Sequence, residues 1–265
     1  EVQLACNKSL SMCPGLSHGL ISALKEYGSD EQKETWLPKL VTGEWTGTLG
    51  LTEPHAGSDV GALHTKAEAQ GDHYLLTGQK IYTTFGEHDY TDNIVHMVLA
   101  RTPDAPPGTR GISLFIVPKF LVNEDGSIGQ RNDVRAVSLE HKLGIHASPT
   151  CVMQFGENEG AIGYLVGEEC RGMEYMFAMM NNARLAVGRE GVGVGERAYQ
   201  QASNFARERI QGRDPADPSA GDVPIIRHPD VRRNLMKMRA LTEANRALGY
   251  YVAAQQDVAR KHPEA

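Results

Sequence analysis

Gly50-Leu51-Thr52-Glu53-Pro54-His55-Ala56-Gly57-Ser58-Asp59-Val60-Gly61-Ala62 is the stretch on which the reading of this chain turns. It reads as a loop between a helix and a first strand. Thr52 and Ser58 offer hydroxyls, and Gly57 lets backbone amides come close to a ligand. Glu53 and Asp59 are of the type that caps turns or binds backbone amides. Composition alone does not separate a ligand-binding loop from an ordinary polar turn.

On the N-terminal side, residues 1–47 read as helical. Ser17–Tyr27 is apolar-rich and stops at Gly28; Ser29-Asp30 then offers an N-cap, with Glu31 and Glu34 in the first turn of a second helix. That helix carries Trp36, Leu37, Leu40 and Val41, and Gly43 ends it. On the C-terminal side the period changes. Tyr74-Leu75-Leu76, Ile94–Leu99 and Ile112–Val117 are short β-prone runs, punctuated by Gly71-Asp72, Gly78, the Pro/Gly-rich stretch 103–111 and Asp125-Gly126. This predicts an antiparallel β-domain over 48–166. From Met173 to Arg209 the pattern is helical again, with Gly188, Gly191 and Gly195 forming a stripe where another helix can approach. A glycine costs a helix about 1 kcal/mol, so a packing reason is expected. A polar loop, Arg213–Val223, leads to a second long helix from about His228 to Ala259. The expected class is α+β, divided into 1–47, 48–166 and 167–265: N-terminal helices, a middle β-domain and a partial helical bundle.

Composition excludes some functions. The chain has 265 residues, 40% of them hydrophobic, and a formal net charge of −6, which argues mildly against a nucleic-acid or membrane-surface partner. No stretch approaches the roughly 18 apolar residues of a membrane span. No basic region followed by an apolar core opens the chain, so no targeting segment is expected; a bacterial-type cytoplasm or a mitochondrial matrix fits. Cys6, Cys13, Cys151 and Cys170 form no C-x-x-C pair and lie beside no histidine cluster, so neither a metal site nor disulfides are expected.

The run Leu51-Thr52-Glu53-Pro54-His55-Ala56-Gly57-Ser58-Asp59 resembles the first signature of the acyl-CoA dehydrogenase family. Gly28–Lys33, Trp36–Leu40 and Gly43-Glu44 resemble its lead-in; Gly144–Thr150 and Gly163–Gly167 fall where the family expects them. The likeness spans about residues 17–260. The tract from Gly86-Glu87-His88-Asp89 to Lys119-Phe120 is most similar to the branch of 3-methylthiopropanoyl-CoA dehydrogenase-like enzymes.

The resemblance implies FAD as cofactor, an acyl-CoA thioester as substrate, an electron-transfer flavoprotein as acceptor, a homodimer or homotetramer, and a place in fatty acid metabolism. It puts Leu49, Leu51, Thr52, Gly57 and Ser58 against the flavin, with Ser58 also near the thioester. Tyr82, Thr83 and Thr84 match the strand over the flavin ring, where an aromatic at Tyr82 suits packing and a hydroxyl at Thr84 suits the reactive nitrogen. Asn181, Asn182 and Arg184 match the substrate-facing helix. Arg209 and Gln211 match a segment reaching the flavin pyrophosphate of a neighbouring subunit, although Gln211-Gly212-Arg213 departs from the common pattern.

The implied reaction is α,β-dehydrogenation: a carboxylate takes the α-proton and the β-hydrogen leaves as hydride to the flavin. The family's usual base is a late glutamate, expected here beyond residue 265; the earlier position used by a minority of members is Ala183. No catalytic residue is therefore expected within the chain, which taken alone is expected to be inactive. Two other readings differ in class: an acyl-CoA oxidase or flavin monooxygenase of the same superfamily, recognised for the oxidase by peroxide release, and a non-catalytic interaction module, recognised by the absence of yellow colour.

Overall fold

The computed structural model describes residues 6–214 and 216–262; the side chains of residues 182, 218 and 220 lie outside that description. The chain divides into two compact units, one of residues 9–183 and one of residues 184–265 together with the first eight.

Three helices come first, α1 (Lys8–Met12), α2 (Gly15–Tyr27) and α3 (Asp30–Thr42), the last two wholly in the larger unit. On α2, Leu20, Ala23 and Leu24 recur at helical spacing and are fully buried. Helix α3 starts as its sequence predicts: Ser29 accepts from the Gln32 amide at 3.1 Å and Gln32 Oε1 accepts from the Ser29 amide at 3.2 Å, a reciprocal capping box. Gly43, at φ 81°, ends it. Trp36 and Leu40 turn inward, and Trp36 meets Trp45 with ring centroids 5.6 Å apart.

The β-structure begins earlier than the composition indicates. Strand β1 (Trp45–Gly50) lies partly inside the stretch expected to be helical, and the loop after Gly50 follows a strand rather than a helix. Trp45-Thr46-Gly47-Thr48-Leu49-Gly50 has no apolar run to announce it. What makes it a strand is tertiary: Ser17 Oγ accepts from the Gly47 amide at 2.9 Å, and a Cβ on Gly47 would stand 2.7 Å from Leu20 Cδ1, so only glycine lets β1 approach α2 this closely. The other strands are β2 (Lys66–Gln70), β3 (His73–Thr84), β4 (Asn93–Ala100), β5 (Ser113–Pro118), β6 (Phe120–Val122), β7 (Ile128–Arg131), β8 (Val134–Leu139), β9 (Thr150–Phe155) and β10 (Ala161–Leu165).

Eight of these strands form one sheet in the order β1-β4-β5-β10-β3-β9-β8, with β2 added on β3; β6 and β7 pair separately. The expectation of an antiparallel domain holds for every pair of the large sheet but one: β1 and β4 are parallel, Trp45 opposite Asn93 and Gly50 opposite Val98. Every residue of β4 and β5 is buried, which explains their largely apolar texture, with Asn93, His96 and Ser113 buried among the rest. One core joins Leu20, Leu24, Trp36 and Trp45 to Met97, Leu99, Leu114 and Ile116; a second gathers Leu76, Val98, Phe115, Met153 and Phe155. Gly78, read as punctuation, lies inside β3, where a Cβ would come within 2.4 Å of Thr65 Oγ1.

Helix α4 (Gly172–Glu208) begins in the larger unit and continues into the smaller one, which also holds β11 (Ile210–Asp214), β12 (Asp217–Pro224) and α5 (Pro229–Lys261). The described residues of the segment 213–223 therefore belong to a β-ribbon and not to a loop. Arg227 clamps it through Asp214 at 2.8 Å, and His228 Nε2 lies 2.8 Å from the Gln211 carbonyl. The glycine stripe receives a neighbour only in part: a Cβ on Gly195 would meet Thr242 Oγ1 of α5 at 3.3 Å, while Gly188 and Gly191 have nothing within 4 Å among the described residues.

Candidate functional site

The loop Leu51–Ser58 is built around a buried ion pair. Glu53 turns the chain by exchanging backbone hydrogen bonds with Ala56, at 3.0 and 3.1 Å. Its carboxylate points inward: Oε1 accepts from Lys80 Nζ at 2.7 Å, from Thr65 Oγ1 at 2.5 Å and from the Thr65 amide at 3.0 Å, while Oε2 accepts from the His64 amide at 2.7 Å. Lys80 is fully buried, Glu53 is 3% exposed, and Lys80 Nζ also donates to the Leu51 carbonyl at 3.2 Å. Burial by itself pushes the Glu53 carboxyl up; the Lys80 ammonium, with hydrogen bonds from Lys80, Thr65 and the His64 amide, outweighs it and holds the group down at about 2. Burial pushes Lys80 down to about 8 against the pull of Glu53. At neutral pH both are charged and each satisfies the other.

Glu53 thus binds backbone amides as its residue type suggests. Asp59 does not: its side chain caps nothing at the short 3-10 turn Val60–Ala62. The buried role of Lys80 is absent from the sequence reading. Its one trace in the sequence is its place on β3 four residues after Leu76, on the alternation that also buries Leu76.

Beside the pair, β3 departs from regular geometry. Its register with β9 shifts between Lys80 and Thr83, and Tyr82 sits at φ 55°, a left-handed conformation costly for a bulky side chain. The Ile81 amide donates to the Thr52 carbonyl at 2.8 Å, which brings the loop and the distorted strand together. The tyrosine ring is consequently turned out, 61% exposed, whereas Thr83 is 1% exposed with its hydroxyl unpaired among the described residues. A ligand over this strand meets Tyr82 and Thr84 rather than the Thr83 side chain. Thr84 is half-buried, and its carbonyl accepts from Thr48 Oγ1 at 2.7 Å.

Leu49, Leu51 and Thr52 are half-buried, and Gly57 and Ser58 are exposed. A Cβ on Gly57 would touch only Thr52 Cγ2, at 3.9 Å, so the loop is open above it. One exposed aromatic, half-buried aliphatic side chains and an open loop rich in hydroxyls suit a planar heteroaromatic ring with a hydrogen-bonding edge. A flavin fits this set.

Of the residues expected to face substrate, Asn181 is exposed and the side chain of Asn182 lies outside the described residues. Arg184, in the smaller unit, is exposed. There too, Arg209 and Gln211 are exposed, with Arg209 Nη2 3.4 Å from Gln211 Oε1. Among the described residues no group of histidines, cysteines and carboxylates is arranged to hold a metal ion, and no helix is long and apolar enough to cross a membrane.

Residues 1–44, 48–157 and 170–265 match, respectively, the N-terminal, middle and C-terminal domains of acyl-CoA dehydrogenase. The chain belongs to the acyl-CoA dehydrogenase family. It is 55% identical to the 3-methylmercaptopropionyl-CoA dehydrogenase of Ruegeria pomeroyi over 266 aligned positions, covering 100% of this chain and 45% of the relative. A butyryl-CoA dehydrogenase of Syntrophomonas wolfei is 44% identical, over 97% of this chain and 43% of the relative. The solved structure of butyryl-CoA dehydrogenase from Megasphaera elsdenii superposes with a TM-score of 0.77 at 27% identity, over 96% of this chain and 60% of that one. The chain spans less than half the length of each of these two curated relatives.

Proposed function

We propose that this chain carries the flavin-facing part of an enzyme that dehydrogenates acyl-CoA thioesters between the α and β carbons. The observation that carries this reading is the junction of the Leu51–Ser58 loop with the distorted end of β3, where Tyr82 is turned out beside the half-buried Thr84. Supporting it are membership of the family and relatives named as acyl-CoA dehydrogenases.

Bound FAD supplies the hydride acceptor. Tyr82 packs against the ring system, Thr84 hydrogen-bonds its edge, and Leu49, Leu51, Thr52 and Gly57 line the approach. Ser58 is assigned to the thioester end of the substrate; the resemblance assigns Asn181 and, in the smaller unit, Arg184 to substrate as well, and the side chain of Asn182, assigned with them, lies outside the described residues. Arg209 and Gln211 reach the pyrophosphate bound to a neighbouring copy; a guanidinium suits that partner by geometry and permanent charge. Glu53 is not the base. Held at about 2 by Lys80 and three other donors, it is too weak an acceptor for an α-proton, which calls for a carboxyl raised towards neutrality. The base is proposed to be a glutamate supplied from outside residues 1–265. The division into domains at 1–47, 48–166 and 167–265, the homo-oligomer and an electron-transfer flavoprotein as acceptor are part of the same proposal.

The test is FAD titration of the purified chain, read by flavin absorbance and fluorescence. Binding is expected, and Thr84→Val is expected to weaken it or shift the absorption bands. A folded chain that binds no FAD would refute the reading; an unchanged spectrum and affinity in Thr84→Val would remove Thr84 from the site.

A further inference from the structure

The motif Gly86-Glu87-His88-Asp89 directly follows the flavin-facing strand, yet none of its side chains has a part in the reaction as described. Its geometry is specific. Phe85, 5% exposed and at φ 54°, closes the Tyr82–Thr84 segment, and its amide donates to the Pro149 carbonyl at 2.7 Å. The Phe85 ring stacks on the His88 imidazole with centroids 3.8 Å apart and planes 19° from parallel. The imidazole bonds at both nitrogens: Nδ1 lies 3.2 Å from the Tyr90 amide, and Nε2 lies 2.9 Å from Thr46 Oγ1.

The partners fix the tautomer. An amide can only donate, so Nδ1 accepts from Tyr90 and the ring proton is on Nε2, which donates to Thr46 Oγ1. Thr91 Oγ1 gives its own proton to the Asn93 carbonyl at 2.9 Å, so across the 3.3 Å between the two threonine hydroxyls Thr46 is the donor. The result is a one-directional chain: Tyr90 amide to His88, His88 to Thr46, Thr46 to Thr91, Thr91 to the Asn93 carbonyl. Thr46 and Thr48 lie two residues apart on β1 and so share a face; Thr46 holds His88, and Thr48 holds the Thr84 carbonyl at 2.7 Å. The same strand runs on through Leu49 into the Leu51–Ser58 loop.

We propose that His88, as its neutral Nε2–H tautomer, is a positioning residue that sets the Tyr82–Thr84 segment relative to the Leu49–Ser58 segment by locking Phe85 onto β1 through Thr46. This rests on the reading of those segments as a flavin site and adds a residue that touches no flavin itself. The charged and titratable groups around the imidazole are Glu87 and Asp89 on its own loop, Lys119 between β5 and β6 (its Nζ donates to the His88 carbonyl at 3.0 Å), His96 on β4, and Arg131 at the end of β7, which reaches it through Glu87. Burial, with Lys119 second, pulls the His88 pKa below the ordinary imidazole value, against Glu87 and Asp89. The neutral form therefore prevails at pH 7, and protonating Nδ1 would set two donors, that nitrogen and the Tyr90 amide, against each other.

The experiment is FAD titration of the purified chain and of His88→Phe, His88→Gln and Thr46→Val between pH 5 and 8, with thermal unfolding measured in parallel. Phenylalanine keeps the stack and loses both hydrogen bonds; glutamine restores a donor towards Thr46; valine removes the acceptor without touching His88. His88→Phe and Thr46→Val are each expected to raise the FAD dissociation constant by up to about tenfold, the upper worth of the one part-buried hydrogen bond both remove, and to shift the flavin spectrum, with His88→Gln recovering part of the loss. Wild-type affinity should fall as the pH drops below the ordinary histidine range, and His88→Phe affinity should not. If His88→Phe folds poorly, Thr46→Val decides. Folded variants with lowered melting temperature but wild-type FAD affinity, spectrum and pH dependence would make His88 a structural brace and overturn the proposal. A wild-type chain that binds no FAD would overturn the flavin reading itself, and this inference with it.

Discussion

Cutting the Glu53–Lys80 pair is the most demanding perturbation this structure offers. Lys80 has no exposed surface, and the acceptors its ammonium has among the described residues are the Glu53 carboxylate at 2.7 Å and the Leu51 carbonyl at 3.2 Å. Glu53→Gln keeps the size and much of the hydrogen bonding but leaves a buried cation without its counter-charge. Breaking a buried pair in this way costs about 3–5 kcal/mol. The loss has a ceiling, because Lys80 already stands at about 8 and will shed its proton once Glu53 is neutral. An independent route gives a similar figure: a carboxyl lowered from 4.5 to about 2 contributes about 3 kcal/mol to stability at neutral pH. That contribution is fully present above pH 4.5 and is lost as the pH falls through about 2, because the unfolded chain binds the proton first. The assay is urea unfolding of wild type, Glu53→Gln, Lys80→Met and the double variant, followed by fluorescence of Trp36 and Trp45, both buried in the same unit. Each single change is expected to cost about 3 kcal/mol, and the double change less than their sum by 2 kcal/mol or more. Additive effects of under about 1 kcal/mol each would refute the pair as the fastening of the loop.

His96 is fully buried on β4, both ring nitrogens are unpaired among the described residues, and burial holds its pKa down at about 3. His96→Leu should therefore stabilise the chain by about 1–2 kcal/mol at pH 7 and flatten the stability loss that the wild type shows as pH falls from 6.5 towards 3; destabilisation on chemical unfolding would contradict this. Gly47→Ala forces a methyl to within 2.7 Å of Leu20 and should cost about 1–3 kcal/mol, measured by the shift in the denaturation midpoint. Phe205, Leu241, Leu248, Tyr250 and Tyr251 are exposed on α4 and α5, so the chain should sediment as dimers or larger species at micromolar concentration; a clean monomer would count against those faces as association surfaces.

What the sequence discloses about this fold depends on whether the deciding forces are local. The capping box of Ser29 and Gln32 and the left-handed Gly43 are local, and the ends of α3 can be read directly. The runs in β4 and β5 are legible because burial on both faces favours mostly apolar residues, His96 being the exception within the run in β4. Strand β1 hides because its threonines and glycines are chosen by what they touch, Leu20, His88 and the Thr84 carbonyl, and not by an intrinsic preference. The ribbon β11–β12 hides for a related reason: its polar residues resemble a loop until Arg227 and His228 tie it down. At the proposed site, Thr52, Ser58, Tyr82 and Thr84 are put forward through resemblance, whereas the burial of Thr83 goes with a register shift between strands that no periodicity predicts.

The parallel pairing of β1 with β4 carries a consequence for how the site comes into being. Two parallel neighbours cannot be joined by a tight turn, so everything between Gly50 and Asn93 is a crossover. Both segments that face the proposed cofactor, the Leu51–Ser58 loop and Tyr82–Thr84, lie within it. The site therefore cannot assemble as a local hairpin; it exists only once a long excursion of chain has closed, a slow event in which the entropy is spent before the contacts form. Backbone amides such as that of Ile81 should then exchange with solvent at the pace of whole-unit opening rather than of loop fluctuation. A ligand bound there would bridge two distant parts of one crossover and so favour its closed, folded form.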